Sequence, residues 1–423
     1  MWFRRDLRVR DLPALADAAR AERIVPVFVF DDRLLRTGRF PSANRTAFML
    51  GCLAELDAAL RDRGARLVVR HGKPETQIPR LANEVGAEDV HFTADASPWS
   101  RRRDQQVIDS LAADGVRAHA SPGAFIVEDP SEILTGQGRP YTVFSPFARA
   151  WAGVDRRPAV QAPRALCLPP GVKAGRLPAL ADLGVKDEPE LAFEPGEQAG
   201  RRAMANFLRS RLEAYEDRRD FYAAVLMHFP EVVHNEFQER YRDLSWARRS
   251  KKLDAWKDGA TGYPFVDAGM RQLRAEGWMH NRLRMVVGSF LTKDLHLDWR
   301  LGEAHFMEWL VDGDMAANNG GWQWIASVGT DPAPYFQRLF NPTRQQGRFD
   351  PAGEYVRRWV PELAEVPGDR LAEPWRMDER QQRDAGCTIG ENYPEPIVDH
   401  AEERQVAQER YRRAAGSGRG TER

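Results

Sequence analysis

Residues 24–30 read IVPVFVF, a run that is apolar throughout apart from its proline. A short apolar run rich in β-branched residues predicts a strand that is buried on both faces. The pattern of an amphipathic helix follows at residues 45–64, RTAFMLGCLAELDAALRDRG, and a second apolar run follows at residues 66–70, RLVVR. Strand, helix and strand in this order predict a parallel sheet with crossover helices.

The same alternation continues outward to about residue 120. Helical patterns occur at residues 74–86 and 100–115, and short apolar runs occur at 89–93, DVHFT, and 116–120, VRAHA. We therefore predict a doubly wound α/β domain with a parallel sheet over residues 1–124. Its first strand is the weak point, because MWF is shorter than the usual strand of about five or six residues. We expect the chain to begin inside this strand.

Two further regions follow the α/β pattern. Residues 125–198 are rich in proline, glycine and scattered charge, which predicts an ordered linker between domains. From residue 199 to 413, apolar residues recur at spacings of three and four, as in YPFVDAGMRQLRAEG at 263–277. This spacing predicts a second domain that is all-α. For residues 414–423 we predict a disordered tail.

Composition excludes several classes of protein. A chain of 423 residues and 48.1 kDa is too long for one small core, which favours two domains. The 62 basic residues balance 62 acidic ones, which argues against a general positive coat. No apolar run approaches the roughly 18 residues of a membrane span, and MWFRRDLRVRD lacks the apolar region of a secretory signal. We expect a cytoplasmic protein without a membrane partner.

The cysteines and histidines give no sign of a disulfide framework or a metal site. The three cysteines are far apart, and the nine histidines show neither a His-Glu-x-x-His motif nor a cluster with cysteine. We predict reduced cysteines and no metal site.

Residues 312–324, DGDMAANNGGWQW, have an unusual composition. Two carboxylates flank a glycine, two asparagines precede two more glycines, and two tryptophans follow. Taken alone, the stretch is typical of a helix cap and turn. Its combination of polar and aromatic groups also suits a flat, polar ligand.

Six stretches occur in an order that is specific to one family. They are WFRRDLRVRD at 2–11, TGYPFVDAGMRQL at 261–273, GWMHNRLRM at 277–285, FLTKDLHLDWR at 290–300, DGDMAANNGGWQW at 312–324 and FNPTRQQGRFD at 340–350. Together they resemble the DNA photolyase and cryptochrome family, with the class I cyclobutane pyrimidine dimer photolyases most similar. The resemblance covers nearly the whole chain.

The resemblance implies a fold and a reaction. It implies an α/β domain with an antenna chromophore and an all-α domain that holds FAD. The implied reaction is electron transfer, driven by light, from reduced FAD to a pyrimidine dimer flipped out of DNA. The implied partner is DNA that contains pyrimidine dimers, bound by a monomer. The antenna would be a folate or a deazaflavin, and TADASPWSRRRD at 93–104 does not distinguish them, since Ser97 replaces a frequent acid.

The residues that match the family's flavin contacts lie mainly in two motifs. The resemblance assigns flavin contacts to the following residues: Tyr215, Asn281, Arg284, Asp312, Gly313, Asp314 and Asn318. Asp312 is expected to pair with Arg284, and Asn318 matches the residue beside the ring nitrogen that changes protonation with redox state. A helix cap is the alternative for these residues.

A second set matches the family's contacts with DNA and the flipped dimer. It consists of Asn281, Arg282, Met285, Trp324, Arg338, Arg344 and Gln345, with Arg348 beside them. Met285 matches a methionine of the cyclobutane dimer photolyases, whereas the (6-4) photolyases resemble a pattern with histidine at this position. The methionine therefore favours the cyclobutane dimer as the substrate. For each single arginine, a solvated surface charge is the alternative, and for Met285 it is core packing.

Three tryptophans match the family's electron chain from the surface to the flavin. They are Trp246, Trp299 and Trp322. Indole is, with tyrosine, the most easily oxidised common aromatic side chain, so a chain of indoles suits this role. Core packing is the alternative for all three, and the sequence does not show whether they lie close together.

The chain departs from the family near residues 218–222. FLRSRLEAYEDRRDF at 207–221 resembles one family segment and RRDFYAAVLMHFP at 218–230 resembles another, and the two share RDF. Family members separate them by on the order of fifty residues, more than a surface loop usually has. That stretch carries a T-S-x-L-S-P-Y-L motif for the FAD phosphates, which this sequence lacks, and Arg218 replaces a tryptophan that packs on the dimer.

Three functions remain open from the sequence. The first is light-driven repair of pyrimidine dimers by a photo-lyase. The second is a blue-light receptor similar to cryptochrome, which would use the tryptophan chain without repair. The third is an inactive chain that has lost FAD with the missing segment.

Overall fold

The computed structural model describes residues 1–208, 216–248, 250–331 and 335–417. The chain divides into two compact units. The first consists of Met1–Glu231 with Met315–Ala317, and the second of Val232–Asp314 with Asn318–Arg423. The domain limits at residues 124, 198 and 413 stay predictions, as this division follows contacts between residues.

The first unit contains the parallel strands that the sequence predicts. The strands are β1 (Trp2–Phe3), β2 (Val27–Phe30), β3 (Val68–His71), β4 (Asp89–Thr93) and β5 (Arg117–Ser121). Strand β2 pairs in parallel with β1 on one side and with β3 on the other, and β4 pairs in parallel with β5. All four residues of β2 are buried, as expected for a strand covered on both faces.

Strand β1 is as short as MWF predicts. It has two residues, and both are paired, Trp2 with Val27 and Phe3 with Phe28. The ring of Trp2 lies 5.4 Å from the ring of Phe92 in β4, so a side-chain contact joins β1 to β4. This contact links the two ladders in the core of the unit.

Helices of the first unit follow the predicted alternation. They are α1 (Pro13–Ala18), α2 (Asp32–Leu35), α3 (Ala43–Arg61), α4 (Pro74–Val85), α5 (Pro98–Ala113), α6 (Phe144–Ala152), α7 (Glu197–Leu208) and α8 (Glu216–His228). Proline stands at the start of α1, α4 and α5, where a missing N–H group costs nothing. Gly86 ends α4 in the left-handed conformation with φ of 63°.

Helix α6 lies inside the region that we predicted as a linker. Its Phe147 is buried and packs 5.3 Å from the ring of Phe221 in α8. The buried carboxylate of Asp220 accepts from the indole of Trp151 at 2.9 Å and from the backbone N–H of Val127 at 3.2 Å. This part of the chain therefore belongs to the folded first unit.

The rest of the described chain is helical, as predicted. Its helices are α9 (Lys251–Asp258), α10 (Pro264–Glu276), α11 (Asn281–Ser289), α12 (Trp299–Trp309), α13 (Met315–Ile325), α14 (Pro342–Phe349), α15 (Glu354–Trp359), α16 (Glu379–Asp384) and α17 (His400–Ser417). Among the described residues of the second unit, strand-like pairing is limited to isolated bridges. One buried cluster fills this unit, with Trp256, Trp299, Phe290 and Tyr411 among its fully buried members.

Two segments of the second unit continue an α-helix. Phe290–Asp294 continues α11 as a π-helix, a form that often occurs at functional sites. Helix α17 extends through Ser417, and its Ala414 is buried. The described residues 414–417 thus continue α17, and the disordered tail predicted from residue 414 stays a prediction.

Candidate functional site

The polar motif at residues 312–324 lies at the turn before α13 and along its length. The backbone N–H of Asn318 donates to the carbonyl of Asp314 at 2.9 Å. The side-chain amide of Asn318 donates to the backbone carbonyl of Glu303 in α12 at 3.0 Å. A side-chain bond of this kind fixes the rotamer, so the amide oxygen has a defined direction.

A buried polar ladder runs beside Asn318 on the same helix. Asn319 donates to the buried carboxylate of Glu303 at 2.9 Å. Gln323, one turn later, donates to Asn319 Oδ1 at 3.2 Å and accepts from the backbone N–H of Phe237 at 2.9 Å. Buried polar groups need such partners, so the ladder joins α13 to α12 and to residues 232–237.

Asp312 and Arg284 form the ion pair that the sequence analysis predicts. Arg284 Nη2 lies 2.9 Å and 3.1 Å from the two carboxylate oxygens of Asp312, and Nε donates to the Met279 carbonyl at 2.8 Å. The pair is half-exposed, with 24% and 39% of the side chains accessible. Gly313 follows at once and donates to the Leu310 carbonyl at 3.4 Å.

Helix α11 presents two further predicted residues. His280 caps the helix, since its Nδ1 accepts from the backbone N–H of Arg282. Asn281 is the first helical residue and is exposed, and Met285 lies one turn later, half-buried against the core. Asn281 and Met285 are four positions apart and thus share one face of the helix.

Trp322 is buried against α12. An ideal Cβ at Gly302 would lie 2.1 Å from Cη2 of Trp322, so only glycine at 302 admits the ring. The ring lies 4.9 Å from that of Phe306. Its Nε1 is buried and has no hydrogen-bond partner in the described part of the chain. Trp322 thus contacts α12 one turn after Trp299.

Trp299 and Trp246 are joined through a residue that the sequence analysis does not single out. Both indole N–H groups donate to the same oxygen, Oε1 of Glu236, each at 3.2 Å. Trp299 is fully buried and Trp246 is partly exposed. The structure therefore brings these two predicted chain members together at one carboxylate.

Trp324 is held by two charged neighbours. Its indole donates to Asp331 Oδ2 at 3.0 Å, and the guanidinium of Arg338 lies over its ring at 4.3 Å. Arg338 also pairs with Asp331 and donates to the carbonyl of Trp324 at 3.0 Å. The Arg338 side chain is 3% accessible and is engaged with Trp324 and Asp331, so its predicted contact with DNA stays a prediction. Its role here is to hold Trp324.

Other predicted DNA contacts do lie at the surface. Arg344 is exposed and follows the helix cap Asn341, and Gln345 is half-buried. The guanidinium groups of Arg282 and Arg348 lie 4.5 Å and 5.1 Å from the exposed ring of Phe349. Partial burial and the charge of Arg348 lower the pKa of Arg282. We call Arg282, Arg344, Arg348 and Phe349 the basic face.

None of the three arginines of the basic face has a carboxylate partner among the described residues. By contrast, Arg358 pairs with Glu276 at 3.3 Å. Unpaired guanidinium groups that approach one aromatic ring repel each other and favour an anion between them. This arrangement suits phosphate groups of a nucleic acid backbone.

Some predicted features cannot be placed or have no counterpart. Tyr215 lies outside the described residues. Arg218 is exposed, with its guanidinium 5.2 Å from the ring of Phe144. Ser97 caps α5 by accepting from the Ser100 N–H at 3.1 Å, which gives no indication of a chromophore. The described residues contain no cluster suited to a metal ion, and no described helix is long and apolar enough to cross a membrane.

Comparisons with known proteins decide the family. Residues 1–164 match the model of DNA photolyase, and residues 217–413 match the FAD binding domain of DNA photolyase. Deoxyribodipyrimidine photo-lyase from Streptomyces griseus is 39% identical, with 98% of each chain covered. The chain belongs to the DNA photolyase family.

Other photolyases agree with this assignment. Deoxyribodipyrimidine photo-lyase from Halobacterium salinarum is 38% identical over 98% of this chain and 99% of its own. A solved class III photolyase from Agrobacterium tumefaciens superimposes with a TM-score of 0.88 at 31% identity, covering 98% and 97% of the two chains. The photolyase fold therefore covers 98% of this chain.

The Streptomyces griseus comparison also bears on the missing segment. The alignment spans 463 residues, whereas 98% of this 423-residue chain is about 415 residues. About 48 aligned positions of this photolyase therefore have no counterpart in the present chain. Their number agrees with the predicted loss of on the order of fifty residues, which exceeds an ordinary loop.

Sequence reasoning missed Glu303, Asp331 and Glu236. The backbone carbonyl of Glu303 accepts from Asn318, and the carboxylate of Asp331 accepts from Trp324. The carboxylate of Glu236 accepts from Trp246 and Trp299. Glu303 lies one turn after Trp299 on the buried face of α12, and this spacing is only a weak indication of a functional residue. No pattern in the sequence points to Glu236 or Asp331.

Proposed function

We propose that this protein repairs cyclobutane pyrimidine dimers in DNA by light-driven electron transfer. The observation that carries the proposal is the arrangement on α13. One helix presents Asn318 and Trp322, and at its end Trp324 is held as a flat aromatic surface between Asp331 and Arg338. The proposal agrees with the names of the relatives, which are deoxyribodipyrimidine photo-lyases.

The residues at the ring end of the site fit a flavin. Asn318 has a fixed amide, Trp322 has a buried indole N–H without a partner among the described residues, and the Arg284–Asp312 pair is half-exposed. Polar groups with incomplete partners beside aromatic side chains suit a planar ligand with hydrogen-bonding edges. When bound and reduced, FAD supplies the single electron that opens the dimer.

Asn318 controls the atom that faces the flavin. A carbonyl oxygen accepts hydrogen bonds and never donates, so the amide presents its NH₂ group to Glu303. The oxygen Oδ1 is then the acceptor left for the ligand. An acceptor favours a protonated ring nitrogen, which is the state that reduced flavin requires.

The Arg284–Asp312 pair orients a second edge of the site. Arg284 is fixed by the Met279 carbonyl and by both oxygens of Asp312. A guanidinium held in this way keeps its positive charge at one place, where it would stabilise an anionic reduced flavin. Electrostatic stabilisation of this kind is strong when the donor is already oriented before the ligand binds.

Trp324 would stack on the flipped dimer. Its ring has one side covered by the Arg338 guanidinium, and Asp331 fixes the indole N–H. The ring is therefore oriented before DNA arrives. Stacking of a base on such a ring contributes about 1–3 kcal/mol.

The basic face would bind the phosphates that flank the dimer. Arg282, Arg344 and Arg348 have no carboxylate partner among the described residues. Each phosphate contact releases counterions from DNA, so affinity would fall steeply with salt. Asn281 and Met285 lie on the neighbouring turn of α11, where they would meet the dimer itself.

The lost segment weakens the hold on the FAD phosphates. Each charge-assisted hydrogen bond contributes roughly 1.5–3 kcal/mol to binding, so the loss of two would weaken FAD binding by about 3–6 kcal/mol. This corresponds to roughly 10²- to 10⁴-fold in affinity. We therefore infer a photolyase that binds FAD mainly through its ring end and needs a high concentration of FAD.

Purified protein with added FAD tests the proposal. Light-dependent loss of dimers supports it, whereas FAD binding and photoreduction without repair would indicate a light receptor. If the protein binds no FAD even when FAD is in large excess, both the repair function and the light-receptor function would be contradicted. We place this activity in a cytoplasmic monomer, as the sequence predicts.

A further inference from the structure

Glu236 lies where two members of the tryptophan chain meet. The indole N–H groups of Trp246 and Trp299 both donate to Oε1 at 3.2 Å. The residue is 4% accessible, so water contributes little to its hydrogen bonding. One carboxylate oxygen therefore carries both aromatic donors.

Arg300 keeps this carboxylate charged. Its Nη1 and Nη2 donate to the two oxygens of Glu236, each at 3.0 Å. Burial alone would raise the pKa of Glu236, but the hydrogen bond and charge of Arg300 outweigh burial and lower it. Arg300 also lies over the ring of Trp299 at 4.5 Å. The carboxylate is thus a fixed negative charge and a weak base.

A purely structural role would not require this arrangement. Arg300 is only partly buried, and Asp298 already supplies it with a carboxylate oxygen at 3.1 Å. The meeting of two indole donors at Oε1, beside Arg300 Nη1, is a separate feature, whereas the buried Trp256 donates to the backbone carbonyl of Val287. The shared oxygen places both indole N–H groups next to the same negative charge.

We propose that Glu236 is a positioning residue for electron transfer between Trp246 and Trp299, which holds both indole N–H groups against one negative charge and stabilises a positive charge on either ring. The inference deepens the proposed function, since it rests on these two residues forming the electron chain.

The electron balance is simple. With FAD bound, Trp322 would give one electron toward the flavin, and Trp299 and then Trp246 would each give one electron to the member before it. Each donor becomes an indole radical cation until it is refilled, and a soluble thiol finally returns one electron to Trp246. The proposed step moves electrons only, and the N–H protons remain in their hydrogen bonds to Glu236 Oε1.

The first test uses protein without flavin. Nuclear magnetic resonance of ¹⁵N-labelled tryptophan resolves indole N–H groups, and the variants W246F and W299F assign two of the 12. E236Q keeps the shape of the side chain but removes its charge. We expect both assigned resonances to move upfield in E236Q and to stay in place in D298N, which alters another acid on Arg300 and keeps a good helix cap.

The second test measures the radical. Pulse radiolysis with an inorganic one-electron oxidant forms tryptophan radicals in flavin-free protein, and the component lost in W246F reports this site. We expect E236Q to shorten the lifetime of that component about ten-fold, which corresponds to about 1.4 kcal/mol. The variant E236D should restore part of the lifetime, and D298N should leave it unchanged.

These results do not depend on FAD binding or repair, so failure of the proposed function would not affect them. An unchanged lifetime and unchanged resonances in a folded E236Q protein would overturn the inference and leave Glu236 as a structural partner of Arg300. Circular dichroism establishes that each variant is folded.

Discussion

The side-chain amide of Asn318 donates to the backbone carbonyl of Glu303 at 3.0 Å. The bond connects α13 to α12 and decides which amide atom remains for a ligand. A residue of similar size without an amide would leave the helix packing nearly intact but would remove the acceptor.

The variant N318L tests the role of this acceptor. We expect dimer repair per absorbed photon to fall at least about ten-fold, since the reduced state of the flavin loses about 1.4 kcal/mol or more of stabilisation. The reduction potential of bound FAD should fall as well. The control N83L removes an exposed amide that bonds Asp114 in the first unit, and it should change neither quantity.

The basic face predicts a specific dependence of DNA affinity on salt. Replacing one phosphate-binding arginine should lower the slope of log affinity against log salt by about one. We therefore expect R282Q, R344Q and R348Q each to reduce the slope for duplex DNA with one dimer. The matched control is R358Q, which changes net charge equally but removes an arginine that pairs with Glu276. An equal reduction in R358Q would mean that the effect reflects net charge alone.

The missing segment predicts weak binding of FAD. Insertion of the corresponding stretch of the Streptomyces griseus photolyase between residues 217 and 222 should restore phosphate donors and raise FAD affinity about 100-fold or more. Fluorescence quenching of free FAD during a titration measures the affinity. A glycine and serine insert of equal length is the control, and equal affinity with and without the natural insert would refute this explanation.

The buried Lys293 should make the free energy of unfolding depend on pH. Its amine is fully buried, donates to Ser327 Oγ at 2.9 Å and lies 5.0 Å from the ring of Tyr411. Burial lowers the pKa of Lys293 from its ordinary 10.5 to about 7. Between these values the unfolded lysine holds a proton that the folded one lacks, so this group makes the free energy of unfolding rise with pH.

The variant K293M should therefore flatten the pH dependence of unfolding between pH 7 and pH 10. The lost slope is up to about 1.4 kcal/mol per pH unit. Urea denaturation at several pH values measures it. The control K252M removes a partly exposed lysine that lies 3.8 Å from Glu403, and it should preserve the slope. Asp294 does not enter this window, since burial raises its pKa only to about 6.

Much of the fold follows from the sequence, because its signals are local. The buried run at residues 24–30 becomes β2, and the helix predicted at residues 45–64 becomes α3. Helix α6 was missed because it is short and lies among prolines, so its stability comes from Phe147 against Phe221. The predicted C-terminal limit at residue 413 lies within α17, whose Ala414 packs against distant residues.

The site was predicted in part. Motifs supplied Asn318, Asp312 and the tryptophans, and the Arg284–Asp312 pair is confirmed. The sequence placed Arg338 beside a predicted DNA-binding motif. It could not show that Arg338 is buried against Trp324 and paired with Asp331, because these contacts form only in the folded chain. The role of Glu236 could not be predicted for the same reason, because Glu236, Trp246 and Trp299 come into contact only in the folded chain.

The central claim is that this chain repairs pyrimidine dimers with light, and one measurement tests it most directly. Purified protein, saturated with reduced FAD under anaerobic conditions, is mixed with an oligonucleotide that contains one thymine dimer and is illuminated with blue light. We expect intact thymines to appear in proportion to the absorbed light, none to form in the dark, and at least ten-fold fewer with N318L. Intact dimers after illumination of FAD-loaded protein would contradict the account.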